Sequence, residues 1–102
     1  MKFLVMFQDN EDLAPMRQKY MLDHLSFLEE NRSSVMKAGP LTNADTGENA
    51  GGVWVVDAEN ATDVHNLVKS DPFWPTGLRK SYSVLSWKQV FADGSRLINP
   101  AT

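Results

Sequence analysis

His24 lies on the apolar side of a helix, with Arg17 two turns before it. Winding the stretch from about Met16 to Asn31 at about 100° per residue puts Met16, Tyr20, Met21, Phe27 and Leu28 on one face. Arg17 and His24 fall in the middle of that face, stacked one above the other. Gln18, Lys19, Asp23, Ser26, Glu29 and Glu30 occupy the opposite face. An amphipathic helix turns its apolar stripe to the core and its charges to water. Burying two ionisable groups without partners would cost several kcal/mol. The two residues therefore have partners or line a cavity.

Asp71 is the second anomaly. Continuing the second helix through it would set its side chain between Val64 and Leu67, on the core side. Pro72-Phe73-Trp74-Pro75 follows, a stiff aromatic turn that could fix a carboxylate beside the first helix. A His–Asp contact has a chemical use: the carboxylate holds the imidazole's tautomer and stabilises its protonated form. His24 then moves protons as a general acid or base. Arg17 holds a carboxylate, phenolate or enolate oxygen. The structural alternative is that Arg17 pairs with Asp71, Asp9 or Glu48 as an ion pair, and that His24 is a satisfied core residue. Tyr20 either adds a hydroxyl to the pocket or packs in the core. His65 falls at the edge of its helix face, toward solvent. Trp54, Trp74 and Trp87 read as packing or dimer residues.

The elements that must position these residues follow from periodicity and breakers. Lys2–Phe7 reads as a strand with Phe3, Val5 and Phe7 on one side and Leu4 and Met6 on the other. Gln8–Asp12 is polar loop, and Pro15 suits a first helical turn. Val35–Ala38 is a short strand stopped by Gly39-Pro40, and Thr42–Asn49 is a Gly-containing loop. Gly52–Asp57 is a strand with Val53 and Val55 opposite Trp54 and Val56. Asn60 and Asp63 resemble a cap and acidic first turn. The helix after them carries Val64, Leu67 and Val68 on one face and ends near Asp71, ahead of Pro72. Ser81–Trp87 is the last strand.

The order β-α-β-β-α-β is the ferredoxin-like α+β plan, an antiparallel sheet with both helices on one face. Such a sheet should alternate apolar and polar if its second face meets water. The first and third strands are apolar on both sides. The expectation is a homodimer packed through its sheet faces, with a C-terminal tail folding back as the alternative cover, for which it is too polar.

Length and charge narrow the function classes. At 102 residues the chain makes one domain, with a net charge of −3 and no cysteine. This balance offers nothing to nucleic acid or to an anionic membrane. No apolar run is long enough to span a bilayer, and the MKFLVMF start lacks the form of a signal peptide. The expected setting is the cytoplasm. Without Cys, and with two widely spaced His, no metal-ligand spacing stands out. Gly51-Gly52 lacks a phosphate-loop pattern, and no serine sits in a nucleophile elbow. No metal and no cofactor are expected.

An ordered set of short pieces resembles the YciI-like, or YCII-related, family. The pieces are Gln8-Asp9, Arg17 followed by His24, Glu30-Asn31-Arg32, Ala38-Gly39-Pro40-Leu41, Gly52, Asp71-Pro72-Phe73 and Gly77-Leu78. The resemblance covers roughly residues 1–91, leaving 92–102 as a tail. It implies a ferredoxin-like protomer, a dimeric α+β barrel, and an active site at His24 and Asp71 with Arg17 beside them. It also implies chemistry of the kind the family and its wider barrel class perform: dehydrochlorination of a chlorinated hydroxyquinol, or lactone isomerisation. Both move protons next to an oxygen-bearing carbon. Two departures stand out: Ser33–Lys37 is more polar than the strand usual before the Gly-Pro, and Trp74-Pro75 makes the turn after Asp71 bulkier. Two functions fit: a cofactor-independent lyase, isomerase or dehalogenase acting on a small anionic or aromatic molecule, and a non-catalytic small-molecule-binding or accessory protein.

Overall fold

Apolar residues at every second position of β1 (Lys2–Asp9) set the layout of the computed structural model, which describes residues 1–100. Phe3, Val5 and Phe7 are buried on one face of the sheet. The other strands are β2 (Val35–Thr42), β3 (Asn49–Asp57) and β4 (Arg79–Ser86). They form one antiparallel sheet in the order β2-β3-β1-β4, the ferredoxin-like arrangement. Trp54 and Val56 of β3 continue the buried face, which packs against Phe27, Val64 and Val68 from the helices.

The helix expected over Met16–Asn31 is broken. A 3-10 turn (Glu11–Leu13) leads into α1 (Pro15–Lys19), and α2 runs Met21–Glu30. Tyr20 stands between them at φ −107°, ψ 12°, outside the helical well. The turn still closes, because Tyr20 accepts from the His24 N–H and donates to the Met16 carbonyl. The break lets α2 bury His24 and Phe27 while Arg17 stays on a separate short helix.

α3 (Ala61–Ser70) begins as read: the Asn60 side chain accepts from the Asp63 N–H at 2.9 Å. Asp71 is its C-cap, already extended at ψ 132°. β2 passes through Gly39-Pro40 instead of stopping there. Its position at the sheet edge explains this, because a proline without an N–H is tolerated where no second neighbour needs the donor. Two register shifts flank that run, at Val35/Lys37 and at Pro40/Thr42.

Among the described residues no helix packs on the second face of the sheet, where Leu4, Met6, Val53 and Val55 are half-buried. Leu4 and Met6 stand opposite Val55 and Val53 on one side, and opposite Leu85 and Ser83 on the other. Beyond β4 the chain forms a small hairpin, β5 (Phe91–Ala92) with β6 (Ser95–Arg96). Asp93 and Gly94 turn it, both at positive φ, as a two-residue hairpin loop requires. Among the described residues no helix is long and apolar enough to cross a membrane.

Candidate active site

His24 Nδ1 lies 2.8 Å from Asp71 Oδ1, and both side chains are buried. Pro72 ends α3 and extends Asp71, so its carboxylate folds back over its own turn. The same Oδ1 accepts the Phe73 backbone N–H at 3.1 Å. A carboxylate only accepts, so Nδ1 carries the hydrogen and the neutral imidazole keeps its lone pair on Nε2. Arg79 Nε is the one buried side-chain nitrogen or oxygen without a partner among the described residues. Nε2, which has no hydrogen-bond partner either, therefore retains contact with solvent.

Phe73, fully buried, is the shared neighbour of His24 and the two arginines. The His24 ring stacks on it with centroids 4.0 Å apart. The Arg17 and Arg79 guanidinium carbons stand 5.7 and 5.4 Å from its centroid. Asp9 ties the two arginines together: one oxygen pairs with Arg17 Nη2, the other with Arg79 Nη1 at 2.9 Å. Of the partners open to Arg17 in the sequence, the structure selects Asp9. Among the described residues the other Arg17 donors have no protein partner.

Arg79 was not legible as a site residue. Strict alternation from Ser81 would turn it to the open face. The register shift between Gln8 and Asp9 lets Arg79 oppose Asp9 and point toward the helices. Its guanidinium stacks 4.1 Å from the Phe7 centroid, and burial pulls its pKa down while Asp9 pulls it up. Gly52 leaves it room, since a Cβ there would lie 3.3 Å from Arg79 Nη1.

A cavity of about 550 Å³ opens at this end of the sheet, walled by Asp9, Arg17, Thr42, Gly51 and Lys80 among others. Arg17 lines it, and His24 and Asp71 do not. Tyr20 is half-buried with the Lys19 ammonium 5.5 Å over its ring, and its hydroxyl meets neither His24 nor Asp71. His65 has a partner: its Nδ1 is 2.6 Å from Tyr82 Oη. No cluster of His, Cys, Asp or Glu suited to a metal ion occurs among the described residues.

The YCII-related domain model matches residues 1–88, the whole four-stranded sheet and all three α-helices. The chain belongs to the YCII-related family. A solved structure similar to this YCII-related protein is the 5-chloro-2-hydroxyhydroquinone dehydrochlorinase TftG of Burkholderia phenoliruptrix AC1100, complexed with 2,5-dihydroxybenzoquinone. It shares 30% identity at a TM-score of 0.75, over 86% of this chain and 94% of that one. A protein of Arabidopsis thaliana, At3g17210, aligns over 90% of this chain and 97% of its own at 10% identity and a TM-score of 0.48. No curated protein matches the chain.

Proposed function

We propose that this YCII-related protein is an enzyme of the lyase, isomerase or dehalogenase type, acting on a small anionic or oxygenated aromatic molecule. The carrying observation is the buried His24–Asp71 pair, with Nδ1 held at 2.8 Å and Nε2 left unpartnered. His24 Nε2 takes a proton from a carbon next to an oxygen-bearing carbon. Asp71 stabilises the imidazolium that forms. Negative charge develops on the substrate oxygen, beside the Arg17 guanidinium; it collapses to a carbonyl as the proton returns to another carbon in an isomerisation, or as the C–Cl bond breaks and chloride leaves with the bonding pair in a dehydrochlorination. Such a proton transfer needs no cofactor. The similarity to TftG, whose complex holds a dihydroxylated quinone, supports this substrate class.

The direct test is turnover of 5-chloro-2-hydroxyhydroquinone by the wild type and by His24→Ala. Chloride release that falls by about a hundredfold or more in the variant supports the reading. Equal release by a folded variant would sink it.

The cavity wall favours a second reading, because it carries Arg17 and not His24. On that reading the protein binds a small anion without transforming it. Binding of 2,5-dihydroxybenzoquinone that is lost in Arg17→Met, with no turnover of any related substrate, would select it.

The apolar outer row of Leu4, Met6, Val53, Val55 and Leu85 supports a homodimer packed through its sheet faces. A monomeric mass at micromolar concentration would overturn that assignment.

A further inference from the structure

The hairpin β5–β6 lies beyond residue 88, where the family match stops. Val90, Phe91, Leu97 and Ile98, on or beside this arm, are between 43% and 60% exposed. An isolated two-stranded hairpin is marginal in water, and exposed apolar side chains in this density mark an interaction surface.

We propose that this C-terminal arm docks on a second copy of the chain and clasps the dimer. The inference rests on the sheet-face dimer proposed above. One observation favours a second copy as the occupant. Leu85 stands opposite Leu4 on the open face, and Leu85, Trp87, Val90 and Phe91, close along the chain, are all large apolar side chains left exposed. Exposed apolar surface therefore continues along the chain from the open sheet face into the arm. In a two-fold dimer each arm then meets the partner along the same interface.

Sedimentation equilibrium of three proteins tests this: the full chain, a chain ending at Lys88, and the full chain with Phe91→Asp and Leu97→Asp. The expected result is a dimer of the full chain and a dissociation constant about tenfold or more higher in both variants, with unchanged far-ultraviolet circular dichroism. If the shortened chain fails to fold, the doubly substituted chain decides. Variants that dimerise at the same concentration as the full chain overturn the arm's role and leave the sheet-face dimer standing. A full chain that is monomeric throughout overturns both.

Discussion

The His24 imidazole lies nearly flat on the Phe73 ring, 14° from parallel, while the Phe73 N–H and His24 Nδ1 share one oxygen of Asp71. Backbone and ring of one residue thus fix both members of the pair. Phe73→Leu keeps most of the apolar volume and should cost less than about 1.5 kcal/mol. Phe73→Ala empties a fully buried site and should cost about 3–5 kcal/mol. Urea denaturation of the two variants measures this, and equal losses would show that aliphatic volume cannot replace the ring.

Arg79 and Asp9 form the buried half of the arginine–carboxylate bridge, with the Arg79 side chain only 4% exposed. Arg79→Met removes the partner of one Asp9 oxygen while filling similar space. The expected loss is about 2–4 kcal/mol, at the lower end because Asp9 keeps Arg17 and some solvent. Adding Asp9→Asn should recover part of that loss. A double variant as unstable as the sum of the singles would show that the two residues are not coupled.

Gly51 has φ +85°, and a Cβ on it would stand 1.8 Å from the Phe7 carbonyl oxygen. Gly51→Ala should therefore destabilise by at least about 2 kcal/mol, through both backbone strain and collision with β1. Gly39 on the edge strand has nothing within 4 Å of such a Cβ. Gly39→Ala should be neutral or stabilising by up to about 1 kcal/mol. Thermal melts that rank the two alike would contradict the β1–β3 packing.

Burial raises the Tyr82 pKa above the ordinary tyrosine value of about 10. The unfolded chain's phenol ionises first as pH rises, so the folded state loses this stabilisation from pH ~10 upward to the folded pKa. A spectrophotometric titration should show a late phenolate phase that disappears in Tyr82→Phe. A late phase that persists there would assign it to the other tyrosine, Tyr20.

The outline of the fold was legible because β1, β3 and α3 obey their periods closely. Lys2–Phe7 and Gly52–Asp57 are short apolar runs bounded by polar loops, buried at every second residue, and Asn60 caps as its type suggests. The pairing of His24 with Asp71 followed from two charges on faces that ought to be apolar. Tertiary irregularity hid the remainder. Tyr20 breaks the helix without a Gly or Pro to announce it. The shift between Gln8 and Asp9 turns Arg79 inward against the parity of β4. Asp93-Gly94 did carry a hairpin signal, but its flanking runs are too short for alternation to register.

The irregular β2 has one more effect. As an outermost strand with Pro40 and two register shifts, it presents a broken row of donors and acceptors, poorly matched to any incoming extended chain. β4, at the opposite margin, runs unbroken from Ser81 to Ser86. Runaway edge-to-edge polymerisation requires both margins to be adhesive. This sheet has one that resists, so strand addition at β4 ends after a single partner instead of propagating into a fibre.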